Sequence, residues 1–85
     1  MTLIEFALPG SNLMSMAAAH SELMRKLKET CEQYNLDYQH RLEGTRVKVS
    51  FAKNKHYTMF NMVWKPGKFW QHRVLAQIPR PDEAA

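Results

Sequence analysis

The sequence has very little cysteine and no long apolar run, and each absence excludes a class of protein. Its 85 residues include one cysteine, Cys31, so a framework of internal disulfides is excluded. No apolar run approaches the roughly 18 residues that a membrane span requires. Glu5 also lies where a secretory signal would carry positive charge followed by an uninterrupted apolar stretch. The sequence therefore predicts a cytoplasmic protein that does not associate with membranes.

Recognisable chemical motifs are missing as well. The four histidines are never closer than sixteen residues, which is not the spacing of a metal site. There is no Gly-rich phosphate loop, nucleophile elbow or carboxylate pair. On the predicted helix, roughly 16 Å would separate His20 from Cys31, too far for a Cys–His dyad. We therefore expect no cofactor, no metal and no enzymatic activity.

Length and composition indicate a single small domain. A chain of 85 residues has room for one core, and its 45% hydrophobic and 24% charged residues are typical of a globular fold. The last residues, "PRPDEAA", are polar and interrupted by proline. We expect one domain over residues 1–78 and a flexible tail over residues 79–85.

Positive charge is concentrated in the second half of the chain. The formal net charge is +4. Residues 37–73 contain eight lysines and arginines against two acidic residues, whereas residues 1–36 and 74–85 each have one acidic residue in excess. This asymmetry indicates an anionic partner more than an even distribution would.

The first half of the chain predicts a strand followed by a long helix. Residues 2–8 predict a short strand, because a period of two sets Ile4, Phe6 and Leu8 on one face against Leu3, Glu5 and Ala7 on the other. Residues 13–34 repeat apolar positions every three or four residues, which is typical of an amphipathic helix. Ser11 or Asn12 can cap its start, and Asn35 can end it in a left-handed conformation.

After residue 36 the period changes to two, which predicts a β-hairpin over residues 38–51. A two-residue loop at Glu43-Gly44 gathers the apolar side chains on one face. In that register Arg41 lies directly opposite Arg46, on the face away from the helix. The same face is expected to carry Lys48 and Arg73, with Asp37 as its one acidic residue. Like charges in such a pair repel, and an anionic ligand would relieve the repulsion.

The segment 57–64 is ambiguous between strand and helix. Its aromatic and β-branched content favours a strand, although residues 57, 60, 61 and 64 also fit a helical turn. As a strand it would pair with residues 70–78, so that Trp64 and Trp70 close the core and Phe69 lies in an exposed loop. The predicted fold is α+β, in the order β-α-β-β-β-β, with one long amphipathic helix on one face of an antiparallel sheet.

Cationic and aromatic side chains of the second half are the candidate binding residues. Lysines and arginines can contact phosphates, while Tyr57 and Phe69 can stack on bases. The set is Arg41, Arg46, Lys48, Lys53, Lys55, Tyr57, Lys65, Lys68, Phe69 and Arg73. Taken singly, each lysine is better explained as solubilising surface and each of the two rings as packing. No standard nucleic-acid motif is present.

Two functions are compatible with these features. The first is a non-catalytic module that binds DNA or RNA through a basic sheet face and hairpin loops. The second is a protein-binding inhibitor or adaptor that engages an acidic protein surface, by analogy with small phage-encoded proteins. In the second case Met59, Val63 and Leu75 would form an apolar protein interface, either with the partner or in a homodimer.

Overall fold

The structure is a computed structural model that describes residues 1–65, 67 and 71–78. Four strands and two helices follow one another in the order β-α-β-β-α-β. Their bounds are β1 Thr2–Ala7, α1 Leu13–Tyr34, β2 Tyr38–Glu43, β3 Arg46–Phe51, α2 Asn54–Val63 and β4 Arg73–Gln77.

The four strands form one antiparallel sheet in the spatial order β2-β3-β1-β4. The first strand is therefore central, although its two neighbours come much later in the chain. This β-α-β-β-α-β connectivity is known as the ferredoxin-like or split β-α-β arrangement. The predicted α+β class, with a long helix on an antiparallel sheet, is confirmed, whereas the predicted element order is wrong at its fifth element.

Local sequence signals at both ends explain the limits of α1. The Asn12 side chain accepts a hydrogen bond from the Ser15 backbone N–H at 2.9 Å, and the Asn12 N–H donates to Ser15 Oγ at 3.3 Å. This reciprocal pair satisfies two donors that have no partner inside the helix. At the other end, Asn35 has a φ of 55° and the Leu36 N–H donates to the Cys31 carbonyl at 2.9 Å. The predicted helix and both of its ends are confirmed.

The β2–β3 hairpin forms in a register two residues away from the predicted one. Its loop is Gly44-Thr45, so Glu43 pairs with Arg46 and Arg41 pairs with Lys48. The predicted Arg41–Arg46 pair is therefore wrong. A shift of two residues leaves every side chain on its predicted face. It also pairs Glu43 with Arg46, which carry opposite charges, and places Gly44, with a φ of 62°, at the loop position that requires positive φ.

Residues 54–63 are a helix, and the predicted strand at 57–64 is wrong. Helical spacing brings Phe60 and Trp64 to the core, where both are buried, while Met62 is 69% exposed. A strand would have turned Met62 inward together with them. The Thr2 hydroxyl donates to Asn54 Oδ1 at 2.7 Å and joins the start of α2 to β1. The tertiary contacts of this segment thus override its strand propensity.

Because α2 is helical, β4 pairs with a different strand from the predicted one. Glu5 of β1 lies opposite Arg73, and Thr2 lies opposite Gln77, with an irregularity in register between Leu3 and Ile4. The predicted pairing of residues 70–78 with 57–64 is wrong. Trp70 and the predicted exposed loop, residues 65–69, fall outside the described residues, except for Lys65 and Gly67.

The core lies between one face of the sheet and the two helices, and aromatic rings dominate it. The Phe60 ring centroid lies 5.0 Å from that of Phe51 and 4.8 Å from that of Trp64, whose own centroid is 5.6 Å from that of Phe6. The buried hydrophobic set is Ile4, Phe6, Ala19, Leu23, Leu27, Cys31, Leu36, Val47, Val49, Phe51, Phe60 and Trp64. We call the sheet face that carries this core the inner face, and the opposite face the outer face.

The helix α1 is longer than the sheet it covers. Its 22 residues span about 33 Å, whereas strands of five or six residues span about 17–20 Å. Burial in α1 begins at Ala19, and Leu13 and Met14 are each 84% exposed. The first turns, residues 13–18, therefore extend past the sheet. We call them the α1 overhang.

Candidate functional site

The outer face carries most of the ionisable side chains that the strands contribute. No helix among the described residues covers it, because α1 and α2 both pack on the inner face. Alternation along the paired strands places these residues on it: Leu3, Glu5, Ala7, Gln39, Arg41, Glu43, Arg46, Lys48, Ser50 and Arg73. Arg41, Arg46, Lys48 and Arg73 were all predicted to lie on this face.

Glu5 occupies the centre of the outer face and is only 7% exposed. Arg46 of β3 donates to its Oε1 at 2.7 Å, and Arg73 of β4 donates to the same atom at 3.1 Å. The hydrogen bond from Arg46, together with the positive charges of Arg46, Arg73 and Lys48, lowers the pKa of Glu5 although burial opposes that change. Two of the four predicted cations are thus bound to a carboxylate that holds three strands together.

The two remaining cations of the outer face lie directly opposite each other. Arg41 and Lys48 are cross-strand partners, and Lys48 Nζ lies 2.9 Å from the Glu43 carboxylate. The hydrogen bond from Lys48 and the charges of Lys48 and Arg41 lower the pKa of Glu43. Arg41 forms no ion pair with any residue that the structure describes. Like-charge repulsion was predicted between Arg41 and Arg46, but the observed register places it between Arg41 and Lys48. The carboxylate of Glu43 offsets part of this repulsion.

A shallow depression of about 500 Å³ lies beside Arg41 and Lys48. Its lining is polar and charged apart from Leu3. The residues around it are Leu3, Gln39, His40, Arg41, Glu43, Lys48 and Ser50. Over the described part of the chain, the central strands β1 and β3 present no aromatic ring to the outer face. The depression can therefore hold an anionic group, and the one ring among its lining residues is the imidazole of His40, which stacks on Tyr38 of the same strand.

The other predicted binding residues do not join this face. Lys53 lies at the start of α2, Lys55 in its first turn and Lys65 just beyond its end, so about 15 Å of helix separates the first from the last. Tyr57 packs inward, with its hydroxyl 3.1 Å from His72 Nε2 and its ring near that of Phe51. Burial raises the pKa of Tyr57. This tyrosine is a packing residue.

The remaining predicted residues are distributed as follows. Met59 and Val63 lie one turn apart on α2, and not on a sheet face as predicted, because that segment is helical. Leu75 lies on β4 and is half-buried. Lys68 and Phe69 are outside the described residues.

Two acidic residues of the outer face, Glu5 and Glu43, were not predicted from the sequence. The only acidic residue expected among the cations of that face was Asp37. Glu5 gave a usable signal, since it alternates with Ile4 and Phe6 and so belongs on the polar side of β1. Its partners gave none, because Arg46 and Arg73 are 41 and 68 residues away. The missed Glu43 follows from the two-residue shift of the hairpin.

Other chemistry is limited in the described part of the chain. Cys31 is free and buried, and burial raises the pKa of its thiol to about 12, so the nucleophilic thiolate is scarce at neutral pH. Among the described residues, no three His, Cys, Asp or Glu side chains come together as metal ligands. Within the same residues, neither helix combines the length and apolarity of a transmembrane segment.

Comparison with known proteins identifies no relative. No family model matches the chain, and neither does any curated protein or solved structure.

Proposed function

We propose that this protein is a non-catalytic module that binds the phosphate backbone of nucleic acid through the outer face of its sheet. The observation that carries the proposal is the position of Arg41 opposite Lys48 on a sheet face that no described helix covers. Arginine and lysine in such a position can replace the counterions of a polyphosphate chain.

The charge balance of the outer face supports this proposal. Glu5 and Glu43 neutralise two of the four cations, which leaves two positive charges on this face of the sheet. Arg46 and Arg73 are committed to Glu5, but both remain more than half exposed and can still reach a phosphate. Arg41 is the best placed of the four, because no described carboxylate pairs with it.

The chemistry of the face favours contacts to phosphates over contacts to bases. Proteins that bind single strands without sequence preference stack bases on aromatic side chains, and the central strands present none here. Phosphate contacts fix a protein on nucleic acid without reading its sequence. We therefore propose weak binding that is independent of sequence and strongly dependent on salt.

The proposal includes a cytoplasmic location. Its support is the single free and buried Cys31, which suits a reducing compartment where disulfides are rare.

The proposal is tested by comparing two variants that remove one positive charge each. Arg41→Gln removes the unpaired cation of the outer face, and Lys28→Gln removes an exposed cation of α1. Fluorescence anisotropy with a labelled 20-mer, single- and double-stranded, would be recorded at about 50 mM salt and above. We expect Arg41→Gln to weaken binding about three- to tenfold and to reduce the salt slope by about one.

Lys28→Gln should bind like the wild type, because its charge lies on the helix side of the molecule. Equal losses in the two variants would mean that net charge alone drives binding. No binding by the wild type at about 50 mM salt would exclude the proposal, since phosphate contacts are strongest at low salt.

A second candidate function, protein binding, is favoured by a different observation. Leu13 and Met14 lie next to each other at the start of α1 and are each more than two-thirds exposed, and contiguous exposed apolar side chains are a common feature of protein interfaces. This function needs no charge on the outer face, so the Arg41 variant leaves it intact.

A further inference from the structure

An apolar groove lies between the first half of α1 and the end of β2. Its volume is about 270 Å³, while about 150 Å³ is enough to hold benzene. The residues around it are Leu8, Leu13, Met16, Ala17, His20, Ser21, Leu42 and Gly44. We call it the α1–β2 groove. It can accept at least one large aliphatic side chain from another molecule.

The groove exists because α1 passes over the edge strand without closing against it. Leu42 of β2 points to the inner face, yet it is about half exposed. Leu13 and Met14, in the first turn of the α1 overhang, are almost completely exposed. A protruding apolar group and an apolar recess therefore lie side by side on one surface. Neither is covered by any described part of the same chain.

This surface is also the least charged part of the molecule. Residues 6–21 contain no Asp, Glu, Lys or Arg, and the groove has no such residue in its lining. Each copy of the chain has a net charge of +4, so two copies repel each other at long range. The uncharged surface is the place where they can meet without an opposed pair of like charges.

We propose that a second copy of this chain covers the α1–β2 groove, in a symmetric homodimer. A two-fold dimer uses the same patch on both copies, and that patch must complement itself. Here Met14 of each copy enters the groove of the other, and Leu13, which lines the edge of its own groove, packs against the partner beside it. This dimer does not use Met59, Val63 or Leu75, the residues that the sequence suggested for a homodimer.

The expected affinity is low, because each copy inserts few large apolar side chains into the other and both copies are positively charged. We expect a dissociation constant on the order of ten micromolar. Salt should strengthen the dimer, since it screens repulsion between two positive copies. Salt has the opposite effect on phosphate binding, so the dimer and the proposed function can fail independently.

The experiment is sedimentation velocity on nuclease-treated protein over about 1–300 μM, at about 0.1 and 0.5 M NaCl. The apparent mass of the wild type should rise from 10.0 kDa towards twice that value as the protein concentration increases. In the higher salt this rise should begin at a lower protein concentration. A double variant, Leu13→Ser with Met14→Ser, should weaken dimerisation at least about tenfold, because two large apolar side chains leave the interface.

The matched control is Met62→Ser, which removes an exposed methionine from α2 and should dimerise like the wild type. A further variant, Ala17→Glu, places a charge in the groove of each copy and should also give monomers.

Circular dichroism reports whether each variant keeps its helices. The wild-type concentration series tests dimerisation without any substitution. A wild type that stays monomeric at about 300 μM overturns the proposal, leaving the groove to a different protein. The proposal is also overturned if dimers persist both in the Leu13→Ser, Met14→Ser double variant and in Ala17→Glu.

Discussion

The two faces of the sheet are built from the same strands and are stabilised by different interactions. On the inner face, Phe6, Phe51, Phe60 and Trp64 pack against one another and are almost fully buried. On the outer face, Glu5 is the one buried ionisable group among the described residues, and its partners are exposed arginines. The inner face is stabilised by the exclusion of water from apolar side chains, and the outer face by pairs of opposite charges.

This difference separates stability from binding in the molecule. Burial of apolar surface provides most of the free energy of folding, whereas exposed ion pairs contribute about 0–1 kcal/mol each. Substitutions on the inner face should therefore affect folding strongly, and those on the outer face should affect binding more. Single substitutions can test that separation, beginning with the largest expected effect.

Phe60→Ala should cause the largest loss. Phe60 has no exposed surface, and its ring contacts those of Phe51 and Trp64. Removing a buried phenylalanine costs roughly 3–5 kcal/mol, a large share of the 5–15 kcal/mol that stabilises a typical domain. The free energy of unfolding from urea melts, followed by circular dichroism, measures this loss.

Met62→Ala on the same helix provides the comparison. Met62 is largely exposed, so this variant should change the free energy of unfolding by less than about 0.5 kcal/mol. If residues 57–64 were a strand, Phe60 and Met62 would share a face, and both variants would be costly. Similar losses in the two melts would therefore contradict the helical assignment of α2.

Asn61→Pro should have the next largest effect. Asn61 is exposed in the interior of α2, so its side chain contributes little to packing. Proline there removes one backbone hydrogen bond and clashes with the preceding turn, at a cost of about 3 kcal/mol. The measurements are the helical signal in far-ultraviolet circular dichroism and a urea melt.

The control for this variant is Asn61→Ala, which changes the side chain and keeps the backbone donor. Alanine is the better helix former, so this variant should match or slightly exceed the wild type in stability. A proline variant as stable as the alanine variant would place residue 61 outside a regular helix.

Most of the fold could be predicted where a long segment and its end signals agreed. The apolar repeat of α1 extends over six turns, and Asn12 and Asn35 mark its ends, so the helix and its caps followed from local sequence. The hairpin faces also followed from the period of two. Its register did not, because a shift of two residues conserves every face.

The rest depends on contacts between distant residues. The ten residues of α2 fit both a strand and a helix, and packing of Phe60 and Trp64 against β1 and β3 decides between them. The candidate site divides in the same way. Alternation placed the cations on the outer face, but only the pairing of β1 with β3 and β4 brings Glu5 to its centre.

Glu5→Gln should lower stability less than Phe60→Ala or Asn61→Pro does, and it should strengthen binding. It removes the carboxylate that accepts from Arg46 and Arg73, so the Tm at pH 7 should fall. It also raises the net charge of the outer face by one. If that face binds phosphates, the affinity for the labelled 20-mer should rise.

The loss of stability in Glu5→Gln should depend on pH in a defined direction. The pKa of Glu5 is lowered in the folded state from its ordinary value of 4.5. Its carboxylate therefore stabilises the fold fully above that ordinary value, and the contribution disappears as the pH falls through the lowered folded-state pKa. The difference in Tm between the wild type and Glu5→Gln should be constant from pH 7 to about pH 6 and should narrow towards pH 2.

The control is Glu29→Gln, which breaks an exposed pair with Arg25 on α1. It should lower the Tm less than Glu5→Gln does and leave the affinity for the 20-mer unchanged. A difference in Tm that does not narrow in acid would show that Glu5 acts through packing, and a weaker affinity would show that its ion pairs position the binding residues.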